Sequence, residues 1–199
     1  MVSTLTFFAP QIPIVRYPAG DCLPYDRMSP GTDVVAARLN ALATLSTAKV
    51  GMPRVVVTSV AAATQRTLPQ DLITSASFQA KPGAVLEMDD LTAYLIANGY
   101  SRSSTVREPG EFAVRGGLLD LFPPGTAEPL RLDFFGDSLE SIRAFDPVSQ
   151  MTTHQRRAIN LTAASEVLLT DETIKRFRQG YLERFGTPGD DPVYAAVSE

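Results

Sequence analysis

Apolar and polar residues alternate with a period of two between residues 110 and 145, and this pattern constrains the fold more than any other feature. A period of two is typical of half-buried β-strands, in which alternate side chains point to opposite faces. Gly136-Asp137 interrupts the alternation and predicts a tight hairpin turn. We therefore predict a small antiparallel sheet with one packed face and one wet face, its strands lying at 111–115, 117–122, 130–135 and 138–143.

Helical patterns surround this sheet. A helix is predicted over 89–98, with Asp89 or Asp90 as N-cap and Gly99 at its end. It would cover one side of the sheet and make this part of the chain α+β. A further helix, predicted over 171–185, ends at Gly186.

The first part of the chain has a different character and favours an α/β arrangement. A helix with Thr32 as N-cap has apolar residues on one face, and a strand follows it. The continuous β-branched run from Val55 to Thr58 predicts a strand buried on both faces of a parallel sheet. Too few strands are present for a complete doubly wound sheet, and we expect both ends of the sequence to have been cut from something longer.

Composition and missing motifs exclude several function classes. The 199 residues carry a formal charge of −4, which disfavours DNA binding by bulk positive charge. With Cys22 as the only cysteine and His154 as the only histidine, neither an internal disulfide nor a zinc site is expected. No phosphate-binding GxxxxGK[ST] motif and no 18-residue apolar run occur, so neither a bound nucleotide nor a membrane partner is expected.

Two groups of charged residues are candidates for function. Arg102, Arg107 and Arg115 fall in the strand region, where arginines can pair with carboxylates of a protein partner. A solvated face and a nucleic-acid patch are the alternative interpretations. A cluster of carboxylates could act as an acid/base pair or could occupy turns and strand edges; its members are Asp120, Asp133, Asp137, Glu140 and Asp146.

Four sequence segments resemble one bacterial protein family, and one of them is PRVVVTSVAAATQRTLP (53–69). GEFAVRGGLLDLFPPG (110–125) and RLDFFGDSLESIRAFDPVSQ (131–150) look like the UvrB-homology region of transcription-repair coupling factors. The loop YPAGDCLPYDRMSP (17–30) is similar to that family and not to UvrB itself. UvrB shares the VRGxxxDxFP pattern, so a UvrB fragment or another DNA-binding, helicase-like repair protein is the alternative.

The resemblance implies a layout of three parts. Residues 1–72 would be part of a degenerate, helicase-like parallel α/β domain, and residues 156–199 would begin its second half. Residues 73–155 would be an inserted α+β domain with a small antiparallel sheet that binds UvrA. The fold class is then α/β plus α+β.

The resemblance also implies a site and partners. Arg102 and Arg115 occupy the positions of arginines that contact UvrA in this family, and Arg107 and Phe122 are further candidates. Phe122 could instead be a core residue, and Tyr25 and Arg27 are expected to be structural. Ala113 stands where UvrB has another contact arginine.

For the parent protein, the resemblance implies a bacterial cytoplasmic ATP-dependent DNA translocase. Its ATP, Mg, RNA polymerase and double-stranded DNA would bind to domains outside this sequence. We expect no catalysis, no cofactor and no metal in this segment.

Overall fold

The computed structural model of the protein describes residues 2–22, 30–49, 51–168 and 170–198. The described residues form a parallel pair of strands, an antiparallel pair and a six-stranded sheet. This mixed α/β composition agrees with the coarse fold class that the sequence predicts.

The first region combines short helices with the parallel pair. Strands β1 and β2 pair in parallel from Ile14↔Val55 to Tyr17↔Thr58, and α2 packs on β1. Ser59 caps the helix after β2 by accepting the backbone N–H of Ala62. The elements are α1 (Val2–Phe8), β1 (Ile14–Tyr17), α2 (Thr32–Ser46), β2 (Val55–Thr58), α3 (Val60–Thr64) and α4 (Gln70–Ser75).

The prediction that β2 is buried on both faces is wrong. Its residues alternate between half-buried and exposed, and Val56 is 43% exposed. The sheet has two strands among the described residues, and α2 packs on β1, so the second face of β2 is left open.

The predicted antiparallel meander forms the larger part of the six-stranded sheet. Its order is β4-β5-β6-β7-β8-β9, with β4 parallel to β5 and every other neighbouring pair antiparallel. The strands are β4 (Ser101–Arg102), β5 (Glu111–Arg115), β6 (Leu118–Leu121), β7 (Leu130–Phe135), β8 (Ser138–Phe145) and β9 (Thr152–Gln155).

Glycines lie in the β5–β6 and β7–β8 turns at one end of this sheet. Gly136 has a φ of 57°, as the tight turn predicted at Gly136-Asp137 requires. Gly117 lies so close to β7 that an added Cβ would stand 2.8 Å from the Phe134 carbonyl oxygen. The backbone N–H of Phe134 donates to Gly117 O at 2.8 Å, so the β5–β6 turn is fixed against β7.

The predicted helix beside the sheet is α5 (Met88–Ala97). It begins slightly before the predicted start: Glu87 is the N-cap, and Asp89 and Asp90 lie in the first turn. Acidic residues there still interact favourably with the positive end of the helix dipole. As predicted, the helix ends just before Gly99, whose φ is 82°.

An antiparallel strand pair brings together the two ends of the sheet region. Strand β3 (Phe78–Ala80) pairs with β10 (Ile159–Leu161), although about 80 residues separate them. Ala80, Ile159 and Leu161 are buried in the same hydrophobic cluster as the six-stranded sheet. The chain therefore enters and leaves this region at neighbouring positions.

A buried arginine connects the first region to the segment after β10. Arg38 of α2 is buried, and its Nε donates to Glu166 Oε1 at 2.5 Å. Its Nη1 donates to Pro18 O and Gln65 Oε1, both at 2.9 Å, and the guanidinium lies 4.7 Å from the Tyr17 ring centroid. The first region therefore packs against the segment that follows β10.

The predicted helix over 171–185 is confirmed as α6 (Asp171–Phe185), which ends at Gly186. Its N-cap is Thr170, whose hydroxyl accepts the N–H of Thr173. A further helix that the sequence did not predict, α7 (Pro192–Ser198), places Tyr194 beside Phe177 and Tyr181.

Candidate functional site

The two faces of the six-stranded sheet carry different side chains. On one face, Phe112, Leu119 and Leu132 are buried in a cluster with Leu91 and Leu95 of α5. We call this the covered face. Because successive side chains alternate, residues one position along each strand point to the opposite side, which we call the open face.

Asp120 is the centre of the open face. Strand register places it between Ala113 and Arg131. Its carboxylate accepts two hydrogen bonds from Arg131, from Nε at 2.7 Å and Nη2 at 2.9 Å, and one from Arg115 Nη2 at 3.1 Å. The side chain of Asp120 is 3% exposed, so this buried carboxylate is compensated by two arginines.

Arg131 is held from several sides. Its hydrogen bond with Asp120 raises the pKa of the guanidinium, which is charged at any physiological pH. Its Nη1 donates to the carbonyl of Gln150 at 3.3 Å, and its guanidinium lies 4.9 Å from the Phe145 ring centroid. These contacts hold Arg131 in a fixed position on the open face, where it is less exposed than Arg115.

A second ion pair lies beside the first on the open face. Both carboxylate oxygens of Asp133 accept from Arg143 Nη2 at 2.7 Å, and Asp133 also accepts from the Ser141 hydroxyl. Three arginines thus share two carboxylates, which leaves one positive charge. The charge network of the open face consists of Arg115, Asp120, Arg131, Asp133 and Arg143.

Phe122 closes one end of the open face. It is buried in a small cluster with Val106, Ala113 and Phe145. The structure thus places the ring in the core, which is the alternative that the sequence left open. Phe122 contributes to packing behind the surface, and its role in partner binding stays an untested prediction.

Arg102 and Arg107 are exposed, and their guanidinium groups are available for contact. The side chain of neither forms a hydrogen bond or ion pair with any residue that the structure describes. The backbone N–H of Arg107 donates to Glu111 Oε2 at 2.8 Å, which holds the loop but leaves the guanidinium available.

The structure does not bring the predicted arginines onto one face. Arg102 is in register with Phe112, which points to the covered face, whereas Arg115 pairs with Leu118 on the open face. Arg102 therefore lies at the β4 edge of the sheet and Arg115 on its open surface. That both bind a partner remains a prediction.

Three members of the carboxylate cluster take part in structural contacts. Asp120 and Asp133 are bound to arginines, and Asp146 accepts the backbone N–H groups of Val148 at 3.1 Å and Ser149 at 2.6 Å in a turn. Among the described residues, no group of acidic, histidine or cysteine side chains could hold a metal ion.

The remaining candidates lie outside any site. His154 is exposed on β9, where its Nε2 lies 3.6 Å from Glu128 Oε2. Tyr25 and Arg27 lie outside the described residues. Within the part of the chain that the structure describes, no helix is long and apolar enough to span a bilayer.

Sequence reasoning missed Arg131 and Arg143 as parts of the site. Both occupy polar positions of the period-two pattern, opposite Asp120 and next to Asp133. Alternation alone assigns them to the wet face, but the cross-strand register selects their partners. Only a correct strand alignment could have identified the network.

Comparisons with known proteins agree with the resemblance seen in the sequence. The family model for the UvrB interaction domain matches residues 78–167. The transcription-repair-coupling factor of Haemophilus influenzae is 39% identical over 188 residues, which is 94% of this chain. The Myxococcus xanthus factor is 42% identical over 163 residues, and that of Escherichia coli K12 is 38% identical over 180 residues, or 82% and 90% of this chain.

These relatives are much longer proteins. The chain spans 16% of the Haemophilus influenzae protein, 13% of the Myxococcus xanthus protein and 15% of the Escherichia coli protein. The three matches cover 82% to 94% of this chain. The chain therefore belongs to the transcription-repair coupling factor family and contains its UvrB interaction domain.

Proposed function

We propose that this chain is a protein-interaction segment that recruits UvrA to stalled RNA polymerase in transcription-coupled nucleotide excision repair. The observation that carries the proposal is an arginine-bearing sheet face within the segment that matches the UvrB interaction domain. Arginine is enriched in protein interfaces because its planar guanidinium pairs with carboxylates through two parallel hydrogen bonds.

Arg115 is prepared for such a contact. Asp120 restrains its guanidinium at the surface, while 48% of its side chain stays exposed. A restrained side chain loses less conformational entropy on binding than a free one. Arg102 and Arg107 add two exposed positive charges at the β4 edge of the sheet.

The residues around the sheet region support a second part of the proposal. Residues 1–72 and 156–199 would form one degenerate, helicase-like α/β domain into which residues 73–155 are inserted. The parallel β1–β2 pair, the β3–β10 pairing and the ion pair between Arg38 and Glu166 all favour this division.

The activity of the whole protein is also a proposal. It would be a bacterial cytoplasmic, ATP-dependent DNA translocase whose ATP and Mg bind in a motor outside this chain. RNA polymerase and double-stranded DNA would be bound by other domains. This segment would have no catalytic activity and would act by bringing UvrA to the site.

Calorimetric titration of UvrA from the same organism with the whole chain tests the proposal. We expect micromolar or tighter binding that weakens as salt is raised from about 50 to about 300 mM, because the Debye length shortens and exposed charge pairs are screened. A parallel titration with double-stranded DNA should give no binding at physiological salt.

Two results would contradict this function. One is a chain that is folded by circular dichroism yet releases no heat with UvrA at any salt concentration. The other is DNA binding with a steep salt dependence, which would favour the alternative of a DNA-binding, helicase-like repair protein.

A further inference from the structure

Gln150 has two features that cost stability. Its φ is 61°, and it is the only residue other than glycine with a positive φ in the part of the chain that the structure describes. Left-handed backbone is unfavourable for a residue that carries a Cβ. Its Oε1 is buried and accepts no hydrogen bond from any described residue, which costs further free energy. Such costs persist where surrounding contacts impose them, and they cluster at functional positions.

The backbone of Gln150 supports the charge network of the open face. The residue lies in the β8–β9 turn (146–151), and its carbonyl accepts a hydrogen bond from Arg131 Nη1 at 3.3 Å. Arg131 donates twice to the carboxylate of Asp120, which also accepts from Arg115. The turn is therefore connected to the exposed guanidinium of Arg115 through two buried side chains.

The side chain of Gln150 reaches a different part of the molecule. Its Nε2 donates to Val106 O at 3.0 Å and to Pro147 O at 2.8 Å. Val106 is fully buried in the loop that joins β4 to β5 (103–110), and the next residue of that loop is the exposed Arg107. The amide of Gln150 therefore holds the backbone beside Arg107, although 44 positions separate it from Val106 in the sequence.

Gln150 thus connects two exposed arginines that strand pairing does not connect. Arg107 has a second restraint, because its backbone N–H donates to Glu111 Oε2 at 2.8 Å. That contact holds the 103–110 loop to β5, but it does not reach the charge network. Among the contacts described, the path through Gln150 joins the loop to the network.

We propose that Gln150 is a positioning residue that fixes the placement of Arg107 relative to Arg115, so that UvrA meets both guanidinium groups in one arrangement. Gln150 acts through Val106 and Arg131 and does not itself touch UvrA. Restrained side chains lose less conformational entropy on binding than mobile ones. This inference rests on the proposed function and adds a residue behind the surface that the sequence did not single out.

Two substitutions in the whole chain separate the side chain of Gln150 from its backbone. Gln150→Asn tolerates a positive φ but is one methylene too short to reach Val106 O. Gln150→Gly adopts the positive φ freely and lacks the amide. The matched control is Ser149→Gly, which introduces a glycine one position earlier in the same turn. The Ser149 hydroxyl accepts from Met151 N at 3.4 Å, within the turn.

The first measurement needs no partner protein. Backbone ¹⁵N relaxation should give an order parameter of about 0.85 at Arg107 in wild type and in Ser149→Gly. It should fall toward about 0.6 in both Gln150 variants, while all four proteins stay folded by circular dichroism. An unchanged order parameter at Arg107 in both Gln150 variants would overturn the inference, whatever UvrA does.

The second measurement is a double-mutant cycle on UvrA binding. In the wild-type chain, Arg107→Ala/Arg115→Ala should bind about fivefold more tightly than the two single losses together predict, because the two arginines act as a unit. In both Gln150 variants the two losses should be additive within about twofold. Affinity itself should be about tenfold lower, since two mobile side chains must be ordered on binding. A merely structural residue would change affinity and leave the coupling as it is.

The cycle separates the failure of this inference from that of the proposed function. If the wild-type chain binds UvrA but the two arginines are already additive, or their coupling survives in both Gln150 variants, the inference is wrong and the proposed function stands. If the wild-type chain does not bind UvrA, both are overturned.

Discussion

The two faces of the six-stranded sheet differ in how their side chains are satisfied. The covered face is a continuous apolar layer against α5, in which Phe112, Leu119 and Leu132 have no exposed surface. The open face satisfies its central groups by pairing charges, and it keeps half of Arg115 in solvent. Burial stabilises the covered face, whose side chains are then inaccessible to a partner. Ion pairing holds the side chains of the open face in fixed positions, where a partner can contact them.

The largest stability loss is expected on the covered face. Phe112→Ala removes a fully buried ring and leaves a cavity, which should lower the free energy of unfolding by about 3–5 kcal/mol. Phe135→Ala makes the same chemical change on the open side, where the ring is exposed, and should cost less than about 0.5 kcal/mol. Urea denaturation measures both variants. Equal losses would contradict the distinction between the faces.

Breaking the buried charge pair should come next. Asp120→Ala leaves Arg131 without its main partner and should cost about 3 kcal/mol. Asp120→Leu/Arg131→Met replaces both charges by apolar groups and should recover most of that loss. The exposed turn residue offers a control, since Asp137→Ala should change stability by less than about 0.5 kcal/mol. A double variant as unstable as Asp120→Ala would show that the pair is not the cause.

Single arginine variants test whether UvrA binds to the open face or to the β4 edge of the sheet. If the open face is the contact surface, Arg115→Ala should weaken UvrA binding by about 2 kcal/mol, because a central arginine is lost. Arg102→Ala, at the sheet edge, should cost under about 0.5 kcal/mol, as a rim residue does. Calorimetry at one salt concentration measures both. A larger effect for Arg102→Ala would place the contact at the β4 edge instead.

The smallest effect is an acid-dependent loosening of the β8–β9 turn. Hydrogen bonds from the backbone of Ser149 and Val148 hold the pKa of Asp146 below its usual range. Their stabilisation is therefore present above the unfolded-state pKa of the carboxyl and is lost as the pH falls through the lower folded-state pKa. A lower protection factor against amide exchange at Val148 and Ser149 in acid would report the loss.

Asp146→Asn provides the control for the turn. The amide keeps an acceptor oxygen but does not titrate, so exchange at these two amides should lose its acid dependence apart from the intrinsic one. Because the carbonyl of Gln150 in this turn accepts from Arg131, loosening should also reach the open face. A turn whose exchange keeps the wild-type pH profile in the variant would contradict this account.

The sequence predicted correctly those helices, strands and turns that are determined by residues close together in the chain. The hairpin at Gly136-Asp137, the antiparallel meander and the helix over 171–185 are all confirmed. The helix starts were less accurate. Thr32 was predicted as an N-cap but is the first residue of α2, whose N-cap is Gly31. Gly31 N donates to the Asp21 carboxylate at 3.0 Å, a contact with a preceding loop that no local pattern contains.

Features set by distant residues were the ones that the sequence did not reveal. The β-branched run at Val55–Thr58 suits a fully buried strand, yet what covers a strand depends on the rest of the fold. Arg131 and Arg143 read as ordinary wet-face residues until the register places carboxylates beside them. For the same reason the sequence could group Arg102 with Arg115, although the strand pairing directs them to different faces.

The most direct test of the open face as a contact surface for UvrA is calorimetric titration of UvrA with wild type and with Arg115→Ala/Arg143→Ala, which removes the two exposed arginines of that face. The matched control is Arg16→Ala/Arg66→Ala, which removes the same charge from exposed positions outside the six-stranded sheet. This account predicts that binding is lost in the first variant and kept in the second, with all chains folded by circular dichroism. Equal loss of binding in both variants would show that UvrA responds only to the net charge of the chain. Unchanged binding in the first variant would contradict the assignment of the open face as the contact surface.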